Sequence, residues 1–360
     1  MVRLSSTDRA LIIDFETPRH IATTAHVKGL TVASRVAVYH VDESHDLSKP
    51  EELKDSIRAE LGLEPEDPVM LTAADVSKYV HLEDGEYGVV ATVGLSNPAC
   101  PAMRALHMPY KGSTINVVAW VPDKLTIQAQ LDLLRTVAEA KAAAAADLLL
   151  RCDGRATGTV SDALAVASFY DEKGYLWAGP STTVGGRVAS LTYRAITSVS
   201  RDFNEWLSSA IGMTLDDLVS DADALYRSAP VPGATEDAVR NLVRSTLQSF
   251  LADPNVWTFL VAARELDIIG GAGLIPQLGR EEFEQDTKRV IADELLATAL
   301  SLYLNGFKAL TATYWADTLK RGLGLKLAGL PMFEDDIAAA LVASALSRVY
   351  DSLLGGREGG

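Results

Sequence analysis

The stretch GRATGTVSDALAVASFY, residues 154–170, decides how the first half of this chain folds. Its second part, Ala163 to Phe169, is an apolar run of strand length without a charge, which predicts a buried strand. Its first part is a loop of small residues. In it Thr157, Thr159 and Ser161 recur at every second position and Asp162 closes the series. Gly, Ser, Thr and Asp are all turn residues, so a turn leading into a core strand accounts for them. The same atoms also suit a binding site for a polar group at the edge of a sheet. Spacing leaves both readings open.

Outward from this stretch, RALIIDF, HIATTAHV, LTVASRVAVYHV, YGVVATVGL and STINVVAWV are short, β-branched and bounded by turn residues, the pattern of strands. Between the last of them and DALAVASF lies one strong helix former, LTIQAQLDLLRTVAEAKAAAAADLLLR, beginning at Leu125. A second helix is expected over TTVGGRVASLTYRAITSVSRDFNEWL. Beyond about residue 205 the strand pattern vanishes, and residues 215–225, 236–251, 257–267, 281–307 and 335–354 read as helices. The expected architecture is an α/β domain over 1–205, a mixed sheet with covering helices, followed by an all-α helical-bundle domain over 206–360.

A formal net charge of −15 argues against nucleic acid and anionic membrane as partners. Cys100 and Cys152 stand isolated and form no metal motif or disulfide framework, so a reducing compartment is expected. The start, MVRLSSTDRALIIDFETP, has no signal-peptide core. The apolar run 295–307 is about 13 residues, where a bilayer takes about 20. A cytoplasmic protein without a membrane span is the expectation.

The helical half places acids beside apolar residues. Asp286 and Asp293 are seven apart, on nearly one face of the expected helix, and Asp293-Glu294 abut its most apolar stretch. Asp335-Asp336 open the last helix, where capping and the helix dipole account for them well. Asp317 and Lys320, one turn apart, suit either a surface ion pair or a site. Buried carboxylates are costly unless paired or metal-bound, and oxygen ligands converging from several helices are what Mg²⁺ prefers, with phosphate as its further partner.

These pieces carry a resemblance. VGLSNPA, GSTINVVAWVPDKL, TVAEAKAAA, ATGTVSDALAVAS and WAGPSTTVGGRVA, in this order over roughly residues 20–200, resemble the adenosylcobinamide amidohydrolases of corrinoid salvage. DPNVWTFLVAA, GLIPQLGREEFEQDTKRVIADELLA, NGFKALTATYWADTLK and FEDDIAAALVASALSRVY resemble the soluble α-ribazole-phosphate phosphatases, relatives of phosphatidylglycerophosphatase A. The fused order is similar to the bifunctional CbiS type.

The resemblance implies two hydrolyses. One cleaves the amide between a corrin carboxylate and aminopropanol, giving adenosylcobyric acid. The other releases phosphate from α-ribazole 5′-phosphate. For the amide, Thr157, Thr159, Ser161 and Asp162 offer the nucleophile, base and oxyanion donors that such chemistry needs, with Asn97 and His26 as contributors from other strand ends. Glu139 is either half of an ion pair with a lysine or a buried base. In the second half the matching metal ligands are Asp293, Glu294, Asp317, Asp335 and Asp336. Asp286 stands where the phosphatases also carry an acid, and Lys320 is the basic partner. Mg²⁺ is the implied cofactor there, and no cofactor is established for the amidohydrolase half. The implied partners are a small-molecule corrinoid and α-ribazole phosphate, and a homo-oligomer is compatible with both. The rival reading is a corrinoid-binding or carrier protein with a phosphatase for other small phosphomonoesters.

Overall fold

β-Branched alternation builds ten strands among the described residues: β1 (Val2–Ser6), β2 (Ala10–Thr23), β3 (Leu30–His40), β4 (Val69–Thr72), β5 (Val80–Asp84), β6 (Tyr87–Val93), β7 (Pro98–Ala99), β8 (Ile115–Leu125), β9 (Gly158–Thr159) and β10 (Ala163–Tyr170). The computed structural model describes residues 2–42, 45, 48–101, 114–285 and 289–355. The chain divides into two units, Met1–Ser200 and Arg201–Gly360. The first is a mixed α/β unit and the second is all-helical.

The run after Asp162 is strand β10, at the centre of the main sheet, whose order is β4-β3-β2-β10-β8-β6-β5, with β1 paired to β2. β10 runs parallel to β8 and antiparallel to β2. RALIIDF and HIATTAHV, expected as two strands, are one strand, β2, whose register to β3 shifts between Asp14 and Arg19. Pro18 lies in that interval and has no N–H to give the ladder.

The sheet is strongly curled. β4 and β8 are four steps apart along the sheet, which in a flat sheet is about 19 Å. Yet the Asn116 side-chain N–H of β8 donates to the carbonyl of Leu71 of β4 at 3.2 Å. Phe15, Ile21, Met70, Val90, Val118, Trp120, Ala165 and Ala167 fill the concave side. Gly88 is required there, because a Cβ on it would come within 2.0 Å of the Trp120 ring.

Helices α1 (Pro50–Leu61), α2 (Ile127–Asp147) and α3 (Thr183–Thr197) complete the unit, with α2 and α3 packed on each other and on the strands. Thr126 and Thr182 cap α2 and α3 by accepting backbone N–H groups, the usual work of a hydroxyl before a helix. The expected helix through residue 206 breaks, because Asp202 and Glu205 form a capping box and start α4 (Phe203–Ile211).

The second unit holds α4, α5 (Leu215–Ser228), α6 (Glu236–Leu251), α7 (Pro254–Gly271), α8 (Arg280–Glu284), α9 (Ala292–Lys320) and α10 (Met332–Gly355). α10 is its axis, packed against α4, α5, α6, α7 and α9, with residues buried all round. It is long and apolar enough to cross a membrane, unlike the run 295–307, but 67% of its most apolar window is buried inside the unit. A helix apolar on every side is what a bundle core demands.

Two expectations fail here. The helix expected over 281–307 is broken between Glu284 and Ala292, so Asp293 starts a helix instead of lying inside one. Asp286, expected to share a helix face with Asp293, lies outside the described residues. The isolated cysteines are also joined: Cys100 and Cys152 form a disulfide with Cα atoms 6.1 Å apart, although 52 residues separate them. β7 pairs with β9 nearby and gathers the two segments, which sequence spacing could not show. The cysteine argument for a reducing compartment falls with that bond.

Candidate functional site

In the first unit the candidate residues meet where β8 and β10 begin. Asp162, just before β10, is the hub. Its carboxylate accepts the Ile115 N–H at 2.9 Å and the Thr159 N–H at 3.0 Å. It also accepts the Thr159 hydroxyl and the Lys141 ammonium of α2. Lys141 donates as well to the Thr157 carbonyl at 3.0 Å. The side chains of this ion pair are only 12% and 9% exposed. Gly158 sits at φ +151°, and a Cβ there would come within 2.1 Å of both the Lys141 nitrogen and an Asp162 oxygen. The glycine therefore keeps open the space in which the pair forms.

Of the other candidates, Thr157, Asn97 and Ser161 hold the loop and strand starts around this hub, whereas His26 and Glu139 make their contacts elsewhere. The Thr157 N–H donates to the Ala99 carbonyl at 2.8 Å, and the Val160 N–H to the Asn97 carbonyl at 3.2 Å, so Asn97 holds the loop through its backbone. The Ser161 and Thr114 hydroxyls are hydrogen-bonded at 2.8 Å. His26 is buried, and both ring nitrogens face backbone: Nδ1 accepts the Lys28 N–H at 3.3 Å and Nε2 donates to the Pro65 carbonyl at 3.2 Å. Glu139 is exposed and pairs with Arg135, not with a lysine.

A cavity of about 300 Å³ opens beside the hub, lined by Lys54, Met70, Leu71, Ser161, Asp162 and Ala163 among others. Lys54 of α1 donates to the Ala25 carbonyl and to Glu51. Lys54, Thr114 and Lys141 are the polar residues that sequence reasoning missed. Lys141 had a visible signal, a charge at the head of the alanine run AKAAAAA.

In the second unit α9 is a hairpin. Asn305 (φ −151°, ψ 26°) and Gly306 (φ 67°, ψ −152°) leave helical geometry, and Gly306 adopts a conformation that is essentially glycine-only. Ser301 and Thr313, about 18 Å apart along a straight helix, have their hydroxyls 2.8 Å apart. The fold-back brings both ends of α9 to the first turn of α10. Carboxylate oxygens of Asp293, Glu294 and Asp336 lie there within 4.8 Å of one another. Lys320 is buried beside them and contacts Asp317 at 2.6 Å, Asp335 at 2.7 Å and Asp336 at 3.4 Å. Lys320 is buried and also meets Asp335 and Asp336, so its contact with the exposed Asp317 is the outer edge of a network and not an isolated surface pair. Capping of α10 falls to Asp267 of α7, which accepts the Phe333 and Glu334 N–H groups at 3.0 and 2.8 Å. Asp335 and Asp336 are left to face Lys320.

The electrostatics follow from burial and crowding. Burial pushes Asp293 well above the usual carboxylate range, and its neighbours Glu294 and Asp336 add to this. Asp335 and Asp336 are also raised by burial, with Lys320 pulling back. For Lys320, burial alone would lower the pKa, but Asp335, Asp317 and Asp336 outweigh it and hold the group above its ordinary value. Crowded carboxylates that resist ionising are a set of oxygen donors suited to a hard cation.

Residues 2–207 match the sequence model of the adenosylcobinamide amidohydrolase family, CbiZ. The chain is similar to the uncharacterized protein MJ1330 of Methanocaldococcus jannaschii, 32% identical over 117 residues that cover 32% of this chain and 88% of that protein. Among solved structures it is similar to protein ypjQ from Bacillus subtilis, at 21% identity and a TM-score of 0.33, covering 41% of this chain and 89% of that one. It is similar also to the low temperature requirement C protein from Listeria monocytogenes, at 25% identity and a TM-score of 0.35, covering 42% and 94%. Likenesses at such TM-scores carry nothing further. The family match spans more than half the chain and contains the whole Asp162 hub: this protein belongs to the adenosylcobinamide amidohydrolase family.

Proposed function

We propose that the first unit hydrolyses the amide of adenosylcobinamide in the cavity beside Asp162. The observation that carries this is the presence of Ser161 and Asp162 together on the wall of that cavity. At about 300 Å³ it sits at the small end of ligand pockets, enough for a side arm ending in an aminopropanol amide and too small for a macrocycle. In this reading Ser161 is the nucleophile. Its oxygen bonds the amide carbon, the serine proton ends on the departing amine, and water then releases the acid. Asp162, already accepting four donors, is a positioning carboxylate that fixes Ser161 beside it and Lys141 behind it. Incubating the full chain with adenosylcobinamide and following aminopropanol by mass spectrometry tests this. Release is expected from the wild type and not from Ser161→Ala. Equal release from both would remove Ser161 from the mechanism.

A second activity is favoured by one specific observation, the convergence of Asp293, Glu294 and Asp336. We infer that these three hold a divalent cation of the Mg²⁺ type and that the second unit is a phosphomonoesterase, with α-ribazole 5′-phosphate as the substrate implied by the sequence resemblance. Such a cation supplies charge neutralisation and an activated water at a phosphoryl group. Lys320 holds Asp317, Asp335 and Asp336 in place and contributes positive charge beside the acids. Phosphate release that requires MgCl₂ and disappears in Asp293→Asn is the expected result. Release unaffected by chelator would contradict the cation.

A further inference from the structure

Beside the Asp162 hub the chain carries a covalent bond that the amide chemistry does not use. Cys100 directly follows β7, and Cys152 sits in the turn closed by the bridge between Arg151 and Arg155, ahead of β9. That turn is anchored, because Leu148, Leu149 and Leu150 at the end of α2 are all buried. The disulfide thus fastens β7 to a fixed point of the unit.

What β7 holds is the site loop. Pro98 pairs with Thr159 and Ala99 with Gly158. The loop donates two backbone bonds across this pair, the Thr157 N–H to the Ala99 carbonyl and the Val160 N–H to the Asn97 carbonyl, while Pro98 has no N–H to give. Paired strands without a larger sheet are marginal in water, so the covalent tie beside this short pair decides whether it persists. Thr159 carries the consequence to the site. It supplies two of the four donors that Asp162 accepts, its N–H at 3.0 Å and its hydroxyl. Lys141, the ion-pair partner of Asp162, also donates to the Thr157 carbonyl. A loop released from β7 takes these groups out of place, and Asp162 no longer fixes Ser161 beside it.

We propose that Cys100–Cys152 is a redox switch for the first unit: a dithiol reductant opens it and turns amide cleavage off. Cys100 is 7% exposed, and Cys152, half-buried, is the more accessible of the two. A thiolate of the reductant attacks the Cys152 sulfur, the S–S bond breaks, and Cys100 leaves as a thiolate that takes up a proton. The second thiol of the reductant then displaces Cys152 as a thiol. The reductant ends as its own disulfide, and its two electrons end in the two protein thiols. This rests on the reading of Ser161 and Asp162 above and adds the regulation of that same site.

The test compares the full chain before and after dithiothreitol. Free thiols are counted by maleimide labelling in the mass spectrum, amide-hydrogen exchange is read over residues 154–162, and aminopropanol and phosphate are quantified. Reduction is expected to admit two labels, to speed exchange in that loop, and to leave phosphate release unchanged. Aminopropanol release should fall by about tenfold or more, the worth of one lost hydrogen bond, and recover on reoxidation. The double variant Cys100→Ala, Cys152→Ala, which cannot form the bond, should match the reduced wild type and ignore the reductant. Two labels with exchange and cleavage unchanged overturn the proposal, and so does a folded chain that takes no label under dithiothreitol. A reductant that slows the double variant as well acts elsewhere than on this bond, which also overturns it. If Ser161→Ala cleaves as well as the wild type, it is the nucleophile reading that fails, while exchange and cleavage that follow the redox state still uphold the switch; the two failures are thereby told apart.

Discussion

The two units gather charge in opposite ways. At Asp162 one carboxylate is met by two backbone N–H groups, one hydroxyl and one ammonium, so the charge is balanced by the protein itself. At the open end of the α9 hairpin, Asp317, Asp335 and Asp336 surround the ammonium of Lys320, and Asp293 and Glu294 converge on Asp336. A balanced hub builds a rigid frame for its neighbours and asks for no ion. An acid-rich cluster is costly until a cation joins it. The two proposals rest on this contrast, direct action by aligned side chains in the first unit and cation-assisted action in the second.

The sharpest break of this contrast is Asp162→Asn. It leaves the Lys141 ammonium buried without its charge partner, a change worth about 3–5 kcal/mol for a buried pair. The melting temperature should fall steeply and amide cleavage should vanish. Unchanged stability in a denaturant titration would show that the hub is not held by charge.

Gly306→Ala comes next. A side chain at this conformation costs about 1–3 kcal/mol, and a hairpin that opens separates Asp293 from Asp336. Mg²⁺-dependent phosphate release should drop while amide cleavage stays at the wild-type rate, read in one sample with both substrates.

The smallest effect sharpens the comparison through pH. Asp293, Asp335 and Asp336 have raised pKa values in the folded state, and Asp267 is pushed up to about 7 by burial. A carboxyl raised on folding binds more protons folded than unfolded. Its cost is therefore absent below the ordinary value near 3.8 and grows as pH climbs toward the raised value. In EDTA the second unit should lose stability between those limits, by at most about 1.4 kcal/mol per pH unit per group. MgCl₂ should flatten that slope. A midpoint that rises with pH in EDTA would contradict the assigned direction.

Much of the second unit was legible because helices announce themselves locally. The helix expected over 236–251 is α6 residue for residue. Two readings failed: the helix expected over 281–307 is broken before Ala292, and NGF at 305–307 reads as a helix interior although Gly306 reverses the chain. The acidic convergence of Asp293 with Asp336 depends on that reversal, so motif matching pointed to the set while helix periodicity misplaced Asp293. In the first unit the hydroxyl-rich loop was visible, but its cation was not, because Lys141 reaches Asp162 across 21 residues. The disulfide and the Asn116–Leu71 contact are likewise products of sheet curl and strand pairing, which no local pattern encodes.

The most direct measurement crosses the two sites. The full-length wild type, Ser161→Ala and Asp293→Asn are each given adenosylcobinamide and α-ribazole 5′-phosphate with MgCl₂, and aminopropanol and phosphate are quantified together. The account predicts that Ser161→Ala loses aminopropanol release alone and Asp293→Asn loses phosphate release alone. A single substitution that abolishes both products, or a wild type that releases only one, would contradict two chemically separate sites.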